Sequence, residues 1–234
     1  MPLPEGVRAV LVDIEGTTTP LSFVTDVLFP FAKERLDDAC ASPDPRFAGA
    51  VRRLQEEHEA ERKGGGAVPD FGSGAPYARY LMELDRKSTG LKELQGLIWE
   101  EGYRTAQLKG DVFPDVPGAL REWQERGIRA RIFSSGSVLA QQLLFGHTEY
   151  GDLRPFFEGY HDTTTGPKRE ARSYAVIAEA FGLPPGAILF LSDVVEELDA
   201  AREAGMQTGL LLRPGNKPVE AGGHPSYRSF AELL

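Results

Sequence analysis

Four short apolar runs constrain this chain more than any other feature: VRAVLV at 7–12, IRARIF at 128–133, AILFL at 187–191 and QTGLLL at 207–212. Each is too short for a buried helix and too continuously apolar for a strand with one wet face. Strands covered on both faces of a parallel sheet are therefore expected. Helix-like segments separate the later runs. Residues 117–126 open on a proline and stop at Gly127, residues 171–181 lead to Gly182, and residues 195–204 end at Gly205, which matches helix start and stop chemistry. The alternation predicts a doubly wound α/β sheet, with any site at the carboxyl ends of its strands.

Between the first run and residue 111 the periodicity turns helical. Residues 22–40 and 46–62 read as helices, and Leu91, Leu94, Leu97 and Ile98 fall on one face of a third. GGGAVPDFGSGAP at 64–76 reads as a flexible loop. The expected organisation is an α/β core of residues 1–16 and 111–234 interrupted by a helical insertion over 17–110, with KGDVFPDVPG as the return. A chain of 234 residues is long enough for such a core and a smaller companion.

The formal net charge of −9 opposes broad attraction to nucleic acid or anionic lipid, so any anion must be bound locally. No run approaches the roughly 20 apolar residues of a membrane span. The N-terminus does not resemble a signal peptide, and the single cysteine, Cys40, excludes an intrachain disulfide. A cytoplasmic protein with Cys40 as an inert thiol is expected. His58, His147, His161 and His224 lack metal-ligand spacing, which argues against a zinc site.

The runs end on polar residues. The first drives into Asp13, Glu15, Gly16 and three threonines, and acids at the end of a buried run are costly unless paired. The second leads into Ser134, Ser135, Gly136 and Ser137, which suit a helix N-cap and an anion site equally well. HDTTTGPKRE carries Lys168, by itself an ordinary surface charge. AILFL leads into Ser192 and Asp193, then Glu196 and Glu197, which alone read as a helix cap with dipole-favoured acids. One sheet, however, puts these ends on one edge, so Asp13, Ser134, Lys168 and Asp193 are expected to meet in one crevice. Clustered carboxylates call for a hard cation of the Mg²⁺ type, and serines, a lysine and Mg²⁺ together make a phosphate site.

The order DIEGT, SSG, GPK and SD resembles the haloacid dehalogenase-like phosphohydrolases. The longer blocks DIEGTTTPLSFVTDVLFPFAKERL, DRKSTGLKELQGLIW and IFSSGSVLAQQLLFGHT, with RPGN at 213–216, resemble the enolase-phosphatases of methionine salvage. That resemblance covers about residues 8–217. It implies a haloacid dehalogenase-like core with an α-helical cap. It implies Asp13 as nucleophile and Mg²⁺ ligand, Glu15 as general acid/base with its backbone carbonyl on the metal, and Asp193 completing the metal set. Ser134 and Ser135 would bind phosphate, Lys168 would neutralise charge, and Glu197 would orient Lys168 or a metal-bound water. Most of the superfamily has Asp where Glu15 stands, and the glutamate supports the narrower family. Arg169 beside Lys168 leaves open which cation faces inward.

The implied reaction enolises 2,3-diketo-5-methylthiopentyl 1-phosphate and then removes its phosphate through an aspartyl phosphate, giving the acireductone. Glu15, Lys168, Lys87 and Lys92 are candidates for the proton-abstracting base. Phe23, Phe29, Leu91 and Trp99 are candidates for reading the methylthio end, although cap core is their commoner role. A monomer acting on a small phosphorylated diketone, binding neither nucleic acid nor membrane, is expected. One rival is a capped Mg²⁺-dependent phosphatase of another metabolite. Another is a receiver-like phosphoacceptor domain, which the long insertion after the first strand opposes.

Overall fold

The computed structural model describes residues 3–234, so the first two residues of the expected 1–16 segment lie outside the described residues. The chain opens with strand β1 (Ala9–Val12) and a π-helical segment (Phe23–Leu28). Helices α1 (Phe29–Glu34), α2 (Leu36–Cys40), α3 (Pro45–Lys63), α4 (Ala75–Glu83) and α5 (Thr89–Arg104) follow. Helix and strand then alternate: α6 (Val116–Glu125), β2 (Arg129–Phe133), α7 (Val138–Gly146), β3 (Gly159–His161), α8 (Ala171–Phe181), β4 (Ile188–Ser192), α9 (Val195–Glu203), β5 (Gln207–Leu211) and β6 (Ser226–Tyr227). Two compact units result: Thr25–Leu108, and the residues up to Val24 together with Lys109–Leu234.

The strands form one parallel sheet in the order β3-β2-β1-β4-β5-β6. β1 is central, with Val12 opposite Ile132 on one side and Leu191 on the other. All four of its residues are buried. Ala9 and Leu11 pack with Phe190, Leu210, Tyr174, Ile177, Phe181 and Leu198, so α8 and α9 cover that face. From β1 the chain winds outward through β2 and β3, then returns to β4 and winds the other way. The carboxyl ends of β1 and β4 therefore flank the topological switch point, where open α/β sheets place their ligands.

The helical unit buries its own cluster, including Leu36, Ala50, Leu54, Tyr77, Leu81, Leu91, Leu94 and Ile98. Asp44 and Ser88 cap α3 and α5 by accepting from Arg46 N and Leu91 N. Glu57 of α3 accepts from Thr89 N and Gly90 N, stitching the two helices. Among the described residues no helix is long and apolar enough to cross a membrane.

Four details differ from the sequence reading. The helix expected over 22–40 is instead a π-helical turn followed by α1 and α2, parted at Arg35. Pro30 explains the widened first part, because it has no N–H for the carbonyl of Asp26 and its ring crowds that carbonyl. Residues 17–24, assigned above to the insertion, pack with the sheet-bearing unit; Thr17, Thr18 and Thr19 are fully buried there, and Thr18 O accepts from Phe113 N. β3 and β6 were not foreseen, since three half-buried residues and a dipeptide carry no apolar run. In β2, Arg129 is exposed and Arg131 half-buried, and both pair with Glu158.

Candidate active site

Asp13 follows β1 directly and its N–H donates to Leu191 O at 2.9 Å, so its position is set by the central ladder. Its carboxylate is buried. Oδ1 accepts from Ile14 N at 2.8 Å and meets Lys168 Nζ at 2.7 Å; Oδ2 accepts from Ser192 Oγ at 3.2 Å. Lys168 is the inward cation and Arg169 is exposed, which resolves the choice between them. The lysine also meets Glu197 Oε2 at 2.6 Å and lies 5.8 Å from the centre of the Phe133 ring. Tyr174 of α8 donates to Lys168 O at 2.6 Å, and Ser173 to Pro167 O at 2.7 Å, so the lysine's backbone is pinned by a core helix.

Ser134 is fully buried at the end of β2, with its Oγ donating to Glu15 Oε2 at 3.3 Å and accepting from Gly136 N at 3.1 Å. Ser137 is the cap of α7, accepting from Ala140 N. The SSGS turn thus divides its work: Ser137 caps, and Ser134 faces the carboxylates. Ser135 is exposed and is not drawn into their contacts. Gln141 donates to Gly136 O and His161 O, each at 2.9 Å, while Asp162 accepts from Val138 N and Thr164 N. These two side chains brace the serine turn against the loop leading to Lys168.

Asp193 follows β4 but does not cap α9; the cap position is Val194. Glu196 is exposed and Glu197 is buried, which separates their roles. Ser192, named in the sequence but given no role there, lies within 3.2 Å of both Asp13 and Glu197 and has one hydroxyl proton for the pair. Its only signal was its place between a buried strand and Asp193.

Four carboxylates are thus crowded around one lysine. Burial, then the charge of Asp13, raises the pKa of Asp193 to about 7 and that of Glu197 to about 7. The same two causes, in that order, raise Glu15 above its ordinary value. Burial opposes the charge on Lys168, but Asp13 and Glu197 outweigh it and hold its pKa above the usual lysine range. Among the described residues no three His, Cys, Asp or Glu side chains are grouped to enclose a metal by themselves. Mg²⁺ does not need such a cage, because it keeps several waters and takes one or two carboxylates. Excess negative charge on hard oxygen donors is the chemistry that such an ion fits.

The haloacid dehalogenase-like hydrolase family pattern matches residues 7–205. Enolase-phosphatase E1 of Synechococcus elongatus is 50% identical over all of both chains. The protein of that name from Pseudomonas aeruginosa is 49% identical, over 97% of this chain and 98% of its own. Among solved structures, the UTR4 protein of Saccharomyces cerevisiae is 35% identical with a TM-score of 0.81, over 97% of this chain and 100% of its own. A dehalogenase at 19% identity and TM-score 0.57 shares the fold.

Proposed function

This chain belongs to the haloacid dehalogenase-like hydrolases and, within them, to the enolase-phosphatase family, and from that premise we propose a division of labour among its residues. The enzyme is a phosphatase that converts 2,3-diketo-5-methylthiopentyl 1-phosphate to the acireductone 1,2-dihydroxy-3-keto-5-methylthiopentene and phosphate, in methionine salvage. The observation that carries the assignment of roles is the buried Asp13–Lys168 contact with Glu15 beside Ser134.

Asp13 is the nucleophile. Lys168 pairs with its carboxylate at 2.7 Å. Its oxygen attacks phosphorus, the bond from phosphorus to the enol oxygen breaks, and Glu15 gives its proton to that oxygen. The raised pKa of Glu15 suits it to hold a proton for this step. Glu15 then takes a proton from water, which attacks phosphorus and frees Asp13 and inorganic phosphate. Lys168 and Ser134 stabilise charge on the phosphoryl oxygens, with Ser135 as a further contact on the exposed side of the turn.

Enolisation comes first, and Glu15 is the base. Lys168 is held charged, which leaves it no lone pair to take that proton. The proton Glu15 removes from carbon leaves it charged with the acid it needs for the next step. One Mg²⁺ per subunit would be held by Asp13, Asp193 and the backbone carbonyl of Glu15; when bound it supplies positive charge against the phosphoryl oxygens and the carboxylates. The helical unit, Thr25–Leu108, serves as the cap. The protein works as a cytoplasmic monomer on its small phosphorylated diketone.

The test is to incubate purified protein and Mg²⁺ with the diketone phosphate, following acireductone absorbance and released phosphate. Equal yields of both are expected. Brisk turnover of simple phosphate esters with no acireductone would assign the chain instead to another phosphorylated metabolite.

A further inference from the structure

We propose that Arg213 and Asn216, on the segment after β5, are positioning residues for Glu15, acting through the backbone of the turn that presents it. The inference rests on the reading of Glu15 as general acid/base given above.

The turn after Asp13 folds tightly on itself. Ile14 O accepts from the N–H groups of Thr17, Thr18 and Thr19, and Gly16 N donates to Thr19 O at 2.8 Å. This leaves the carbonyls of Gly16 and Thr17 without partners inside the turn, in residues that are buried. Buried carbonyls of this kind need donors. Asn216 Nδ2 supplies one to Gly16 O at 2.9 Å and Arg213 Nε one to Thr17 O at 2.9 Å. Neither side chain bonds Asp13, Glu15, Ser134 or Lys168 among the described residues. Whatever they do for the site passes through the carbonyls of the first and second residues after Glu15.

Both anchors are themselves held. The Arg213 guanidinium lies 4.4 Å from the Phe113 ring centre and 4.9 Å from that of Phe230, with Nη1 on both oxygens of Asp115 at 2.8 and 2.9 Å. Asp115 also accepts from Phe230 N at 2.6 Å. Asn216 is fixed by a second bond, to Leu211 O at 3.3 Å. The opposite side of the turn has no slack: Gly16 has φ +70°, and a Cβ there would stand 2.3 Å from Asp193 Oδ2 and 3.1 Å from Asn216 Oδ1. Gly16, the residue after Glu15, is therefore bonded by Asn216 and packed closely against Asp193. Arg213 Nη2 and Asn216 Oδ1 are buried without hydrogen-bond partners, so the arrangement is not the one that maximises hydrogen bonding. A buried ion pair need not stabilise more than apolar packing would, although removing one partner is costly. It suits a part whose value is placement.

The test separates proton transfer from folding. A phosphate ester with a good leaving group, p-nitrophenyl phosphate, departs without help from an acid, whereas an alkyl phosphate needs Glu15. In single-turnover measurements of alcohol release, Asn216→Ala is expected to slow release from the alkyl ester about 10- to 100-fold, within the range of acid–base contributions, with release of p-nitrophenol much less affected and melting temperature preserved. Acid-quenched labelled aspartyl phosphate should accumulate on the p-nitrophenyl ester, because the water step still needs Glu15. Arg213→Gln should show the same leaving-group pattern at a lower melting temperature, because Asp115 loses its partner; should it fail to fold, Asn216→Ala decides alone. Equal slowing of alcohol release from both esters, or no slowing, would overturn the inference. Glu15→Gln is the control. If it shows the leaving-group pattern and Asn216→Ala does not, the positioning role is wrong and the acid/base reading stands; if Glu15→Gln lacks the pattern, both fall.

Discussion

Lys168 is the residue on which the charge balance of the site turns. It is the cation in contact with both Asp13 and Glu197, in a position 8% exposed where water screens little. Lys168→Met should lower kcat by about 100-fold or more, the scale for losing one donor aimed at developing charge. Arg169→Met should leave it unchanged, and steady-state turnover checks both. A second residue gives a pH signature. Burial first, then the Arg131 charge, holds the pKa of His161 down to about 4. The folded pKa lies below the unfolded one, so the unfolded chain binds more protons as pH falls from about 6.5 toward 4, and stability is lost across that window. His161→Gln should flatten that part of the profile relative to the parent, read as urea midpoints at pH 7 and pH 5. At this scale the sequence was informative where a polar residue ended an apolar run, as with Asp13, Ser134 and Asp193. It assigned no role to Ser192, Gln141 or Asn216, whose side chains reach backbone carbonyls or carboxylates brought near by the fold, a pairing that no local pattern announces.

Elements are set by propensity where they are long and by packing where they are short. α3 and α5 were legible because their apolar periodicity runs for several turns and Asp44 and Ser88 mark their starts. β3 and β6 exist because a neighbouring strand offers free backbone groups, which no residue in GYH or SY announces. The π-helical turn likewise follows from Pro30 acting on the residues before it. Where α3 and α5 meet, Gly90 is packed so closely that a Cβ would sit 2.6 Å from Leu54 N, a backbone atom that cannot swing away. Gly90→Ala should therefore destabilise the helical unit by about 1–3 kcal/mol, the usual cost of overpacking, despite alanine's better helix propensity. Urea denaturation of the full chain would show it; a stabilised variant would mean the helices separate freely.

Across the whole molecule, two units each bury a separate apolar cluster. Such chains commonly unfold in more than one step. The four crowded carboxylates lie in the sheet-bearing unit alone, and an ion that binds only the folded form stabilises it by mass action. Adding Mg²⁺ should raise the melting transition of that unit and leave the other where it was, while chelation abolishes turnover; calorimetry with and without the ion reads the difference. The central strand has a further consequence for synthesis. Residues 9–12 find their neighbours only at 129–132 and 188–191, so the growing polypeptide leaves the ribosome with its innermost strand unpaired while the intervening helices have local contacts to make. Asp13 is thus translated well before both strands that flank it, and a chain stalled before position 188 carries that bare strand as a target for chaperones and proteases.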